Sequence, residues 1–156
     1  SFKKDSKGNN LIENSFKLLN KKIVKENNNW ILRAAHDGYQ KKYGVIHERE
    51  IVFVPEINKF IGKDKLIKKR NFKSSNFEIR FHLSPGVKVT KTQDGISALI
   101  ELDNSGWRFF CKDCAIDIET GLFFGKKNSY LENQNIFVTG VTTNEDQVIN
   151  WEILKI

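Results

Sequence analysis

Three observations predict an all-β domain built as an antiparallel β-sandwich of two packed sheets. Turn-forming marks punctuate the chain from Trp30 onward: Asp37-Gly38, Gly44, Gly62, Pro85-Gly86, Asp94-Gly95, Ser105-Gly106, Gly121, Gly125 and Gly140. The runs between these marks are rich in β-branched and aromatic residues and alternate apolar with polar side chains. After Trp30 no stretch keeps a helical period for long. Roughly eight to ten strands, spaced about ten residues apart, fit two antiparallel sheets packed face to face.

In chain order, residues 1–29 read as a polar lead-in and residues 30–156 as the sandwich proper. KKDSKGNN and KENNN read as loops. The apolar positions of NLIENSFKLLNKKIVKE suit a short helix and a strand equally, and they are assigned to an edge strand. The stretch from Arg33 to Phe53, RAAHDGYQKKYGVIHEREIVF, is a turn-and-strand unit holding His36, His47, Tyr39 and Tyr43, most of the histidine and tyrosine in the chain. In FEIRFHLS, Phe77, Ile79, Phe81 and Leu83 fall on one face, and Glu78, Arg80 and His82 on the other. ISALIEL repeats the pattern with Ile96, Ala98, Ile100 and Leu102 inward. KVT after Pro85-Gly86 is a short strand; WRFF, AIDIE, NIFVTG and VINWEIL are further strands. Trp30, Trp107, Phe109 and Trp151 sit in these patterns and are assigned to the core rather than to sugar-stacking platforms.

At 156 residues the chain is long enough for one core without covalent staples. Lys+Arg 26 against Asp+Glu 19 gives a formal charge of +7, which favours an anionic partner. The lysines are scattered rather than gathered, which equally suits a surface that keeps the domain in solution. Nucleic acid is the weaker choice of partner, because stacked aromatics beside basic residues, helix-turn-helix and RRM signatures are all missing. The chain opens on Ser1 and holds no methionine, so it is expected to be a piece of a longer protein. SFKKDSKGNN lacks the apolar core of a signal peptide, and no run approaches the roughly 20 apolar residues of a spanning helix. Cys111 and Cys114 are too few for a disulfide framework.

The ordered series HDGYxxxxGxxHxR, FEIRFHLSPGVKV, GWRFF, AIDIETGLFFG, the strand at Asn133-Gln134-Asn135-Ile136 and a terminal WEIL resembles the C-terminal β domain of bacterial heparinase II/III-like proteins. The resemblance runs from about Trp30 to the end. It implies one half of a polysaccharide lyase, in which an N-terminal α/α toroid and a C-terminal sandwich enclose a cleft for an acidic, uronate-containing polysaccharide. The implied reaction is β-elimination: a base takes the C5 proton, donors stabilise the carbanion, and a Tyr or His acid protonates the leaving oxygen. No cofactor is implied for this chain, although a metal ion such as zinc can sit in the β domain of relatives. The toroid, and the His-Gly-His-Ala-Asp-like segment that opens the family's β domain, are not in this sequence. The chain alone is therefore expected to offer one wall of a cleft and not to turn over. The bacterial cell envelope or periplasm is the implied location. A stand-alone carbohydrate-binding or structural sandwich is the alternative.

His36 and Tyr39 are the candidates for proton transfer, because they flank Asp37-Gly38 at a turn where side chains are exposed. His47 and Arg49, two apart on the next strand, share a face, and with His36 and Tyr39 they form the candidate substrate-binding set. A guanidinium there suits a bidentate grip on a uronate carboxylate. The competing reading makes Asp37-Gly38 ordinary hairpin chemistry under a packed Tyr39, and takes Glu48-Arg49-Glu50 as a strand of charges engaged in ordinary cross-strand ion pairing. His82, beside Arg80, reads as packing. Cys111-Lys112-Asp113-Cys114 is half a zinc site at most, and a regular strand puts its sulfurs on opposite faces, so unless a turn intervenes the cysteines read as filler.

Overall fold

The computed structural model describes residues 2–4, 10–12, 16–126 and 129–156. A small ladder pairs β1 (Phe2–Lys4) with β2 (Asn10–Ile12). Most of the loop expected at KKDSKGNN, residues 5–9, lies outside the described residues.

The lead-in supplies β3 (Leu18–Glu26), which forms a hairpin with β4 (Asn29–His36). Asn27 and Asn28 join them with φ of 47° and 64°. That left-handed pair turns a two-residue hairpin with the twist of the strands, and asparagine tolerates it. β5 (Val45–Val54) pairs with β4, but Asp37-Gly38 does not close a tight hairpin. The connection instead contains one helical turn, α1 (Gln40–Tyr43). Gly44 ends it at φ 67°, and a Cβ there would lie 2.4 Å from the backbone of Asn71 and Phe72. Only glycine meets both demands.

A 3-10 turn at Pro55–Ile57 leads to β6 (Lys59–Lys68). Next come β7 (Asn76–His82), β8 (Lys88–Lys91), β9 (Ser97–Leu102), β10 (Ser105–Phe110), β11 (Ile116–Lys126), β12 (Ser129–Val141) and β13 (Gln147–Lys155). Eight strands form one antiparallel sheet in the order β3-β4-β5-β6-β13-β10-β9-β8, with the lead-in strand at its edge. Three form a second, β11-β12-β7. Strands exceed the eight to ten expected because the lead-in and the KFIGKDKLIK segment also pair.

The two sheets bury one face each against the other. Phe81 from the small sheet sits with its ring 4.7 Å from Phe109 and 4.8 Å from Trp151 of the large one. Ile79, Ile116, Ile136 and Val138 meet Ala98, Ile100, Phe109 and Ile149 in one cluster, each large side chain contributing about 1.5–3 kcal/mol. Phe77, Ile79, Phe81 and Leu83 all join this core, as their alternation predicts. Two assignments to the interior fail. Leu102 is 44% exposed, at the end of β9, and Trp30 is 44% exposed near the β3–β4 turn, under Lys25. Both lie at strand ends, where alternation continues beyond the opposing layer.

Candidate functional site

Register across four adjacent strands lines up a polar row on the core side of the large sheet. His36 on β4 is paired with His47 on β5, and Arg49 on β5 with Asp64 on β6. Gly62, two residues before Asp64, faces Trp151 on β13. Along β6 the buried positions alternate as Gly62, Asp64 and Leu66, so the carboxylate occupies an inward position and is fully buried.

A buried carboxylate requires partners, and Asp64 has four N–H groups aimed at it. His47 Nε2 lies 2.6 Å and Arg49 Nε 2.7 Å from Oδ1; Arg49 Nη2 lies 3.1 Å and Trp151 Nε1 2.7 Å from Oδ2. Burial pushes the Asp64 carboxyl up, but the bonds from His47, Arg49 and Trp151 and the Arg49 charge outweigh it and hold the group below its ordinary value. Trp151 reaches it only because Gly62 leaves room: a Cβ there would stand 2.0 Å from the indole.

The row continues outward. His47 Nδ1 is 3.2 Å from His36 Nε2, and the Gly38 N–H points at His36 Nδ1 at 3.3 Å. One donor–acceptor order satisfies every link. An ionised carboxylate only accepts, so His47 Nε2–H donates to Asp64, His36 Nε2–H to His47 Nδ1, and the Gly38 N–H to His36 Nδ1. Burial, then the neighbouring His47, hold His36 below its ordinary pKa, partly offset by Asp37.

These residues border a cleft of about 480 Å³ between the α1 turn and β7, lined among others by His36, Tyr39, Tyr43, His47, Arg49 and Arg80. All four members of the substrate-binding set thus reach one cleft, but in different states. Tyr39 is 49% exposed, its ring 5.2 Å from that of His36, and its hydroxyl has no hydrogen-bond partner among the described residues. His36 and His47 are each bonded through both ring nitrogens. Arg49 spends Nε and Nη2 on Asp64 and lies over Phe81 and Trp151. The cross-strand ion pairs expected around Arg49 form, Glu48 with Lys65, Glu50 with Arg33 and Arg49 with Asp64. Arg80 is held by Glu78 and Glu119.

Outside the cleft, His82 is exposed at the end of β7 and its Nδ1 bonds Asn135 Oδ1 at 2.9 Å. Cys111 and Cys114 lie in a turn after β10, so the expectation that their sulfurs occupy opposite faces of a strand is corrected. Among the described residues no three of His, Cys, Asp and Glu gather as a metal site. His36, His47 and Asp64 are already spent in a row of hydrogen bonds, so they do not fit the zinc that the resemblance allows. No helix among the described residues is long and apolar enough to cross a membrane.

Known structures share this architecture. The heparan sulfate lyase HepC from Pedobacter heparinus superposes with a TM-score of 0.75 at 14% identity, over 89% of this chain and 22% of its own. A mutant of the same lyase gives 0.74 at 14% identity, over 89% and 22%. A heparinase III gene product gives 0.69 at 14% identity, over 90% and 22%. The chain thus spans about a fifth of the length of these proteins, and at such identity the likeness concerns the fold. No curated protein sequence matches. The family described as "Heparinase II/III-like, C-terminal" matches residues 4–152, reaching well before Trp30, and with nearly the whole chain covered the protein belongs to the heparinase II/III-like C-terminal family.

Proposed function

We propose that this chain is the C-terminal β-sandwich of a polysaccharide lyase and forms one wall of a cleft for β-elimination on an acidic, uronate-containing polysaccharide. The observation that carries the reading is the convergence of His36, Tyr39, His47 and Arg49 on one cleft, in a fold like that of heparan sulfate lyases. In the proposed reaction a base removes the proton at C5 and the electron pair forms the C4–C5 double bond. The C4–O bond breaks, and the departing oxygen takes a proton from an acid. Tyr39 is the acid, because it lines the cleft and its hydroxyl has no hydrogen-bond partner among the described residues. His36 backs it: the two rings touch, and the Asp64 row fixes the His36 ring. Arg49, anchored through Nε and Nη2, leaves Nη1 and its positive charge for a uronate carboxylate.

The base and the opposite wall come from the remainder of a longer protein, an α/α toroid, without which this chain does not turn over. A bacterial cell-envelope or periplasmic location suits such a substrate. The test is elimination by the full-length protein on a panel of uronate polymers, read as the ultraviolet absorbance of unsaturated uronate ends. Product from the full-length protein and none from this chain alone supports the reading; no product from a folded full-length protein on any polymer refutes it.

A second reading has its own support. Both imidazoles and most of the Arg49 fork are consumed by internal hydrogen bonds, which suits a structural or carbohydrate-binding module without catalysis. Polysaccharide binding by the full-length protein with no elimination selects it.

A further inference from the structure

The two cysteines sit where the chain passes from one sheet to the other. β10 ends at Phe110 in the large sheet and β11 begins at Ile116 in the small one. Residues 111–115 are the link. The chain turns at Lys112-Asp113, and a four-residue turn brings its first and last Cα atoms within about 7 Å, close to the span of a disulfide. Cys111 and Cys114 are the first and last residues of this turn. Both ends of the link are pinned, by Cys111 N–H to Ile96 O at 2.9 Å and Ile116 N–H to Gly95 O at 3.0 Å. Cys111 is fully buried in the core. Cys114 is half-buried and lines a second cleft of about 470 Å³, between the link and the start of β13.

We propose that Cys111 and Cys114 are a redox-modification site that closes into an intramolecular disulfide by exchange with a small-molecule or protein disulfide. The asymmetry of burial orders the steps. Cys114, reachable from its cleft, attacks as thiolate one sulfur of the incoming disulfide and expels the other half as a thiolate. Cys111 then loses its proton and attacks Cys114 Sγ, releasing the second half. One disulfide bond forms, the incoming one breaks, and the oxidant leaves as two thiols. Burial drives the Cys111 thiol up to about 12 and raises Cys114 as well. Both thiols are therefore slow nucleophiles in the native fold, toward alkylating agents and in exchange alike, and closure relies on the turn that holds them close. Closure would tie the end of one sheet to the beginning of the other. A metal is the weaker occupant, because no third ligand of the usual types gathers there among the described residues. This inference is independent of the lyase reading.

The experiment holds the native chain in glutathione buffers of graded ratio, quenches with acid, denatures, labels with maleimide and records intact mass. In excess glutathione disulfide the chain is expected to lose two hydrogens, take no maleimide and form no disulfide between chains, and dithiothreitol should restore two labels. Cys111→Ser should stop with glutathione attached to Cys114, while Cys114→Ser should take up little. The proposal is overturned if both thiols of the wild type still label, if the wild type halts at a single glutathione adduct, if disulfides form between chains, or if zinc binds one-to-one and protects both thiols.

Discussion

Replacing Asp64 by asparagine tests the polar row most sharply, because the change is nearly isosteric and removes charge and one acceptor. Four N–H groups now meet two carboxylate oxygens. An amide offers one oxygen, and its NH2 must face two of those donors, so two bonds are lost whichever way it is turned. Bonds to a charged group are worth about 1.5–3 kcal/mol each, and removing one partner of a buried pair costs about 3–5 kcal/mol. Arg49 is 31% exposed in its side chain and recovers some hydration, which brings the expected loss to about 2–4 kcal/mol. For a domain of this size each kcal/mol moves Tm by about 2–4 °C, so a drop of about 6–12 °C corresponds to the middle of that range. Urea unfolding followed by tryptophan fluorescence measures it, and Asp117→Asn serves as the control. Asp117 pairs with Lys91 at 3.3 Å with 66% of its side chain exposed, and should change stability by less than about 1 kcal/mol. An Asp64→Asn variant as stable as the control would refute the claim that the buried carboxylate organises the site.

Two further perturbations follow from the same geometry. Gly62→Ala places a methyl inside the Trp151 indole; overpacking of about 1–3 kcal/mol together with a displaced Nε1–Asp64 bond should destabilise the domain and shift its tryptophan emission, and a near-neutral result would mean that Trp151 does not press on Gly62. Acid should unfold the domain in two stages. The folded pKa of His36 lies below its ordinary value, so the unfolded chain takes the proton first; stability is complete above about pH 6.5 and declines below it. Asp64 is also depressed, and its contribution is complete above about pH 3.9 and lost as pH falls through the folded value. Urea midpoints against pH should show both stages in the wild type and only the lower in His36→Gln; one stage in both proteins contradicts this.

Strand alternation made the placement of His47 and Arg49 on one face legible, and the density of reactive residues from Arg33 to Phe53 marked the right turn. The centre of the site was hidden. Asp64 lies between Lys63 and Lys65, which in sequence looks like solvated charge on a surface strand. Its signal was parity: Gly62, Asp64 and Leu66 share a face, and Trp151 needed an open position opposite. The shape of the turn is set from outside it for a related reason. Asp37-Gly38 is good hairpin chemistry, but the left-handed residue is Gly44, whose constraint comes from Asn71 and Phe72, remote in sequence. The cysteine turn was similarly obscured, since alternation assumes a strand that ends at Phe110.

The central claim is that the His36–Tyr39 turn serves elimination. Its most direct test is kcat/KM of the full-length protein on a uronate polymer, comparing wild type with Tyr39→Phe and His36→Ala. Loss of the proton donor predicts a fall of about 100-fold or more for Tyr39→Phe, with a smaller fall for His36→Ala. Values within about twofold for both, roughly 0.4 kcal/mol of transition-state stabilisation, would contradict the account and leave the turn a structural feature of the fold.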